Sequence, residues 1–268
     1  MTNLTLLTES IYRLTVPFED VYTTVFLILT PDGAVLYDTA TYPEDVERYI
    51  IPALNSLGIT EHSLKYIVIS HDHGDHSGGL ARMLQSFPHV TVISLSSELK
   101  NRFTDYTVLS LSDEEYILKC LQIIKIPGHS EDCTALLDER SHTLITGDCL
   151  QMYGLYGSGI WGSNIPLPAD HLKALKKLHS LNIRMMIAAH DYHPFGYLSC
   201  GESEISRCLN ACAAAISDIK NFICAHPGLS DTEAAALYHQ STGLPPVGSS
   251  VFEAIRTSNL PNLDFFDH

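Results

Sequence analysis

The chain has 268 residues, which is enough for one large domain with a sizeable hydrophobic core. Its 31 acidic and 16 basic residues give a formal net charge of -15 at pH 7. An acidic surface repels phosphate backbones, so we expect no nucleic-acid partner. The sequence has no run of about 18 apolar residues and no basic-then-apolar N-terminal segment, so we expect a cytoplasmic protein without a membrane partner.

The seven cysteines are odd in number and contain no C-x-x-C pair, which favours a reducing compartment over a disulfide framework. Cys208 and Cys212 have the spacing of residues on one helix face. For these two residues, core packing is a simpler interpretation than metal or redox chemistry.

The N-terminal part of the sequence predicts a meander of three strands followed by a helix. Alternating apolar residues indicate the strands, and apolar residues at helical spacing before a glycine indicate the helix. The predicted strands are Ile11–Val16, Thr23–Leu29 and Ala34–Tyr37, and the predicted helix is Glu44–Leu57.

A dense group of metal-ligand residues follows the next strand. The apolar run Leu64–Ile69 predicts a buried strand, and three imidazoles and two carboxylates occupy positions 71–76 directly after it. Alternation along an extended segment places the first two histidines on one side, where both can reach one ion. The turn at Gly74 carries the last two groups toward a second position. The candidate ligands are His71, His73, Asp75 and His76.

Three later segments repeat this pattern of a strand that ends near a ligand-type residue. The predicted strands are Ile117–Ile126, Thr143–Thr146 and Met185–Ala188, and the residues that follow them are His129, Asp148 and His190. Each segment alone is ordinary, but their recurrence in one order indicates further metal ligands. Further predicted elements are strands at Val90–Ile93 and Thr134–Leu137 and helices after Gly79 and at Ala169–Ser180. Together they predict two β-sheets with helices outside.

Beyond residue 200 the sequence predicts a helical extension. A long helix is expected at Glu202–Ala225, and Ser230 with Glu233 has the capping-box spacing that opens another. We therefore divide the chain into a catalytic core, 1–200, and a helical C-terminal extension, 201–268. A lid, a packing layer and a homodimer surface all remain open for the extension.

These motifs resemble those of the metallo-β-lactamase-fold hydrolase superfamily, from Ile11 to Phe195. The resemblance implies an α/β fold of the αββα four-layer sandwich type and a binuclear metal site. It also implies a division of the ligands. His71, His73 and His129 would hold the first metal, Asp75, His76 and His190 the second, and Asp148 would bridge the two. Zinc is the first expectation for this ligand set, and iron and manganese are also compatible with it.

Such a site predicts hydrolysis by a metal-held hydroxide. Two divalent ions roughly 3.5–4 Å apart can share one water, lower its pKa and polarise the substrate carbonyl. Asp75 and Asp148 are the candidate catalytic residues, because besides ligating metal they could help move a proton to the leaving group. Asp38 resembles a family aspartate that lies behind the histidine loop, and a helix cap near Pro43 is the competing interpretation.

Substrate selection is expected from loops near the ligands. The glycine- and aromatic-rich segment 152–162 suits an uncharged or partly apolar ligand. The candidate substrate-binding residues are Tyr153, Tyr156 and Trp161 in this segment, with Phe18, Tyr22 and His193 as an opposite wall.

The predicted function is a hydrolase of a small ester, lactone or thioester. The ligand pattern resembles the lactonase and glyoxalase II branches more than the β-lactamases. A glutathione substrate would call for basic groups, and the C-terminal region offers only isolated Arg207, Lys220 and Arg256. A small phosphodiester or phosphonate hydrolase and a mononuclear iron sulfur dioxygenase remain alternatives.

Overall fold

The computed structural model describes residues 3–260, which form an α/β fold with two β-sheets and several helices. The predicted fold class is therefore confirmed. The strands are β1 (Leu4–Leu6), β2 (Ile11–Phe18), β3 (Val21–Thr30), β4 (Gly33–Tyr37), β5 (Leu64–Val68), β6 (Thr91–Ile93), β7 (Val108–Leu109), β8 (Tyr116–Ile117), β9 (Leu121–Lys125), β10 (Thr134–Asp138), β11 (Thr143–Ile145), β12 (Met185–Tyr192) and β13 (Gly196–Cys200). The α-helices are α1 (Pro43–Asp45), α2 (Ile51–Ser56), α3 (Gly74–Ser77), α4 (Leu80–Ser86), α5 (Ser97–Arg102), α6 (Pro168–Ser180), α7 (Gly201–Ala225), α8 (Asp231–Thr242) and α9 (Ser249–Thr257).

The first sheet has the order β1-β2-β3-β4-β5-β6-β7. It is antiparallel from β1 to β4 and parallel from β4 to β7. Gly33 starts β4 at φ +140, and a Cβ there would lie 2.4 Å from Lys65 Cγ, so the turn between β3 and β4 requires glycine. Because Tyr37 and Val68 are register partners in parallel strands, the residues that follow β4 and β5 emerge at the same sheet edge.

The core of this part of the chain is apolar and fully buried. Leu27, Leu36 and Ile67 from the sheet cluster with Leu54 of α2 and Leu84 of α4, each with no exposed surface. Burial of one such side chain contributes about 1.5–3 kcal/mol, so the cluster fixes the sheet on which the histidine segment begins.

The second sheet has the order β13-β12-β11-β10-β9-β8. The prediction of one strand over Ile117–Ile126 is wrong, because the chain reverses between β8 and β9, which pair antiparallel with Ile117 opposite Leu121. Leu118 and Lys119 adopt φ values of 45 and 62, which reverse the chain. Neither residue type favours positive φ, so the sequence carries no signal for this turn.

The predicted helix at 44–57 is helical but not regular. A π-helical turn, Val46–Ile50, separates α1 from α2, and the amide of Ile51 donates to the Val46 carbonyl. Pro52 has no amide hydrogen to continue an α-helical ladder at this point, which accounts for the irregular turn.

The described residues divide into two compact units. The first comprises the residues up to Ile124 together with Leu136–Ser141, and the second comprises Lys125–Ala135 and the residues from His142 onward. The prediction of a core to residue 200 and an extension to residue 268 stays a prediction, and residues 261–268 lie outside the described part.

The C-terminal helices lie in the second unit. Ser230 caps α8, since its side chain accepts the Glu233 amide and the Glu233 carboxylate accepts the Ser230 amide, so the predicted capping box is present. Phe222, Tyr238 and Phe252 connect the three helices through ring contacts of 5.3 and 5.8 Å. None of the described helices has the length and apolar character needed to cross a bilayer.

Candidate metal centre

The predicted ligands of the first unit follow β5. His71 and His76 are buried, Asp75 is half-buried and His73 is exposed. His71 Nε2 lies 2.9 Å from His73 Nδ1, and His76 Nε2 lies 3.2 Å from Asp75 Oδ2. The rings of the first two histidines therefore converge as alternation predicted, and the short helix α3 brings the other two groups together.

Asp38 and Ser70 fix the orientation of two of these rings. Asp38 Oδ2 is 2.8 Å from His76 Nδ1 and accepts the Ser70 hydroxyl at 2.9 Å, and Asp38 Oδ1 accepts the Ser70 amide at 2.7 Å. Because the Ser70 hydroxyl proton is given to Asp38, its oxygen accepts from His71 Nδ1 at 3.0 Å. Burial raises the pKa of Asp38, and the nearby His76 partly offsets this effect.

The helix-capping interpretation of Asp38 is not what the structure shows. The carboxylate that accepts the Thr41 and Tyr42 amides at the start of α1 belongs to Asp45, at 3.3 and 2.9 Å. Asp38 instead contacts the histidine segment. Ser70 was missed by the sequence analysis, although a hydroxyl directly before the first histidine was a usable signal.

Asp72 anchors the segment between His71 and His73. Its carboxylate accepts from Ser77 at 2.8 Å, from Ser96 at 3.2 Å and from Arg102 at 3.1 Å. Donors from two helices thus hold the backbone between the two ligands, which limits the directions in which their rings can point.

Two glycines allow α3 to approach the segment after β4. A Cβ on Gly78 would lie 2.0 Å from the Thr41 carbonyl oxygen, and one on Gly79 would lie 2.1 Å from that of Thr39. Thr39 in turn donates to the His76 carbonyl through its amide at 2.7 Å and its hydroxyl at 2.9 Å. The glycines therefore permit the contact that positions His76.

The predicted ligands of the second unit gather around Asp148. One carboxylate oxygen, Oδ1, lies 3.3 Å from His190 Nε2, and the other, Oδ2, lies 3.7 Å from His129 Nε2. All three side chains are buried. A carboxylate with one oxygen directed to each of two histidines has the arrangement that a bridging ligand requires.

Gln151 connects these three ligands and was not found from the sequence. Its amide nitrogen donates to the Asp148 carbonyl at 2.9 Å and to the Tyr192 hydroxyl at 3.1 Å, and its oxygen accepts the Asn164 amide at 2.9 Å. The Asn164 carbonyl accepts from His129 Nδ1 at 2.9 Å. Gln151 therefore braces the segment around each ligand, a role that depends on tertiary partners and leaves no sequence signal.

The donor set fits divalent metal. His71, His76 and His129 each have Nδ1 engaged by a protein oxygen, which leaves Nε2 as the nitrogen for an ion. Such outer contacts fix the tautomer and the ring direction of metal-binding histidines. Imidazoles and carboxylates, without thiolates, suit zinc and related divalent ions.

The predicted substrate-binding residues have mixed surroundings. The Tyr153 hydroxyl donates to Asp218 of α7 at 2.9 Å, so this group is engaged with the protein. The ring of Tyr156 is 47% exposed and lies 4.7 Å from the ring of His193, so these two residues form one aromatic surface. Trp161 is half-buried at the end of the same segment.

The two remaining candidates, Phe18 and Tyr22, lie at the tip of the β2–β3 hairpin in the first unit. Both are half-buried, and the Arg13 guanidinium lies 4.8 Å from the Tyr22 ring centre. Their part in substrate binding stays a prediction.

Comparison with known proteins agrees with this geometry. A family model described as the metallo-beta-lactamase superfamily matches residues 19–190, which include all seven candidate ligands. A hydroxyacylglutathione hydrolase of Vibrio campbellii is 32% identical over 83 residues, 30% of this chain and 31% of that protein. An atrochrysone carboxyl ACP thioesterase of Claviceps purpurea is 25% identical over 132 residues, 49% of this chain and 41% of that protein.

A solved structure supports the same fold over a longer range. A metallo-beta-lactamase family protein from Thermus thermophilus superposes with a TM-score of 0.66 at 18% identity, and the match covers 94% of this chain and 92% of that one. Matches to curated relatives are shorter, since this chain spans 40% to 57% of the length of several of them, or about half.

Proposed function

The chain belongs to the metallo-beta-lactamase superfamily, and from that premise we propose that it is a metal-dependent hydrolase of a small ester, lactone or thioester. Membership rests on the match over residues 19–190, and it supports an enzyme with a hydrolase-type fold. The single observation that carries the proposal is Asp148, whose two oxygens face His190 and His129 separately.

We infer that the seven candidate ligands hold two divalent ions, with zinc as the first choice. His71, His73 and His129 would hold one ion, Asp75, His76 and His190 the other, and Asp148 would contact both. The inference is supported by the residue types and by the oxygen contacts that direct their rings. It also agrees with the family match, which covers every one of these positions.

When bound, the ions would supply an activated water and polarise the substrate carbonyl oxygen. The protein side chains then have separate tasks. Asp75 and Asp148 lower the net charge of the site and can accept or return a proton at a carboxylate oxygen as the leaving group departs. Asp38 and Ser70 hold the His76 and His71 rings in place through Nδ1, and Gln151 holds the segment around Asp148.

Thioesters are the first substrate class to test. Two relatives carry names that state thioester or acylglutathione hydrolysis, and the exposed Tyr156 ring, which lies against half-buried His193, offers an aromatic surface near the ligand-bearing strand β12. Glutathione itself is a weaker choice. The Arg256 guanidinium is paired with Asp231 at 2.8 Å and the Arg207 guanidinium lies over the Phe195 ring at 5.2 Å, so both basic groups already have partners.

The test combines metal analysis with a substrate panel. Protein purified without added metal should contain about two divalent ions per chain and hydrolyse one class among acyl thioesters, lactones and carboxylic esters. β-Lactams, phosphodiesters and a persulfide with oxygen monitoring complete the panel. One iron per chain with oxygen uptake and no hydrolysis would contradict the proposal, and so would selective turnover of the phosphodiesters.

A further inference from the structure

Three sulphur side chains meet in the interior of the second unit. Cys208 and Cys212 lie one turn apart on α7, and Met152 lies in the segment after β11. Their exposed fractions are 1%, 0% and 0%. The Cys208 thiol contacts the Met152 sulphur at 3.9 Å, and the neighbouring Cys212 thiol lowers the pKa of Cys208. The spacing of four residues on a helix explains why both cysteines lie in the core. It does not explain why the Met152 thioether contacts the Cys208 thiol.

The measured distance within this group fits a small three-sulphur metal site. Thiolates and thioethers select soft ions such as Cu(I), whereas the imidazole and carboxylate ligands described above select harder divalent ions. In a trigonal site with metal–sulphur bonds of about 2.3 Å, the sulphur atoms are separated by about 4.0 Å. The distance of 3.9 Å between Cys208 and Met152 is the edge that such a site needs.

We propose that Cys208, Cys212 and Met152 form a binding site for one Cu(I) ion, separate from the candidate metal centre. Binding forms two copper–thiolate bonds and one copper–thioether bond, releases two thiol protons to solvent and changes no oxidation state. The remaining negative charge is buried, and the Ser199 side chain that hydrogen-bonds to Cys208 partly compensates for it. Met152 follows Asp148 by four positions, so the ion would tie this segment to α7.

The experiment uses the zinc-loaded protein under anaerobic conditions. Cu(I) is added in the presence of a chromophoric Cu(I) chelator, the protein is separated by gel filtration, and copper and zinc per chain are measured. The expected result is one copper per chain with unchanged zinc. X-ray absorption at the copper edge should show three sulphur neighbours at about 2.3 Å.

Variants then assign the site. Replacing Cys208 and Cys212 together by alanine should lower bound copper at least 10-fold, and Met152→Leu should weaken binding several-fold. Cys224→Ser is the matched control, because Cys224 is an exposed cysteine on the same helix, and it should bind copper like the wild type. Circular dichroism melting checks that each variant is folded.

Four outcomes would overturn the site. They are wild-type protein that elutes without copper, equal copper in the double variant, loss of copper in Cys224→Ser, and copper that replaces zinc. If the double variant fails to fold, the absorption spectrum of the wild type decides, because nitrogen neighbours would place the ion on histidines instead. Hydrolysis is not the readout, so failure of this site and failure of the proposed function are distinguishable.

Discussion

The two groups of candidate ligands are built in opposite ways. In the first unit, four ligands occupy positions 71–76. The side chains of Asp38, Ser70 and Asp72 hold this segment in place through hydrogen bonds. In the second unit, three ligands come from distant parts of the sequence. The Gln151 side chain braces them, since it contacts the Asp148 carbonyl, Tyr192 near His190, and Asn164, whose carbonyl accepts from His129.

This contrast sets which outer contact should matter more for metal binding. The compact group is held by carboxylate contacts, and hydrogen bonds to a charged group are stronger than neutral ones, so loss of one should be costly. The dispersed group depends on the central carboxylate of Asp148 and on neutral hydrogen bonds, which each contribute only about 0.5–1.5 kcal/mol. Substitutions of a ligand and of an outer contact in each group test this contrast.

The largest effect is expected for Asp148→Ala. It removes the oxygens that face His129 and His190, so bound metal should fall toward one ion per chain and turnover should fall at least about 100-fold, more than for loss of an outer contact. Metal analysis and steady-state rates measure this. Asp105→Ala, at an exposed position, is the control and should behave like the wild type. Full turnover and unchanged metal content in Asp148→Ala would remove Asp148 from the site.

The next effect is expected for Asp38→Ala in the compact group. The change frees His76 Nδ1 and removes the acceptor of Ser70, so zinc affinity should fall about 10- to 100-fold while the fold persists. Competition with a zinc chelator gives the affinity. Asp45→Ala is the matched control, because Asp45 caps α1 and should lower stability by about 1 kcal/mol without changing zinc affinity. Equal zinc affinity in both variants would mean that Asp38 does not orient a ligand.

The pH dependence of stability tests the packing beneath the dispersed group. His171 is fully buried in α6, and a Cβ on Gly128 would lie 2.6 Å from its Nδ1. Burial lowers the pKa of His171 to about 3, so the folded state holds this ring neutral while the unfolded chain protonates it below about pH 6.5. Its contribution to stability is therefore fully present above pH 6.5 and is lost progressively as the pH falls toward 3.

The expected slope from His171 approaches about 1.4 kcal/mol per pH unit once the pH is well below 6.5. Urea unfolding of zinc-free protein between pH 7 and pH 5 gives the slope for the wild type and for His171→Leu. Other titrations are common to both proteins, so the wild type should lose more stability on acidification than the variant. Identical slopes would show that His171 is protonated in the folded state.

A smaller effect is expected for Gln151→Met. The substitution keeps the side-chain volume but leaves the Asn164 amide and the Asp148 carbonyl without this partner, which should lower stability by about 1–3 kcal/mol. Zinc affinity should fall by no more than about 10-fold, the lower end of the range for outer contacts. Gln122→Met, at a half-buried position of β9 where the side chain donates to the Glu114 carbonyl, is the control for both measurements. If Gln151→Met lowers zinc affinity more than Asp38→Ala does, the dispersed group depends more on its outer contact than the compact group does, which contradicts the expected order.

The same contrast explains which parts of the fold and of the candidate site could be predicted from the sequence. Apolar periodicity located most strands, and ligand residues at strand ends gave all seven candidates, because these signals are local. The chain reversal at Leu118 and Lys119 left no signal, since their positive φ values are imposed by the sheet. The role of Gln151 could not be predicted either, because it depends on contacts with Asn164 and Tyr192 that form only in the folded protein.

The smallest effect concerns Tyr153, which the sequence analysis assigned to substrate binding. The structure has its hydroxyl donating to Asp218, and burial together with this hydrogen bond raises the pKa of Tyr153, so the hydroxyl stays protonated at neutral pH.

If the hydroxyl only anchors the segment to α7, Tyr153→Phe and Asp218→Asn should each lower stability by about 1 kcal/mol or less, because the pair is partly solvent-exposed. The double variant should then be no less stable than either single one, as expected for residues that share one contact. KM should stay within about twofold of the wild type, since a lost substrate hydrogen bond would raise it about fivefold or more for each 1 kcal/mol. Unfolding and KM measured on the same three variants separate the two roles. Coupled stability changes with a constant KM would show that Tyr153 anchors the loop. A raised KM in Tyr153→Phe alone would show that Tyr153 binds substrate.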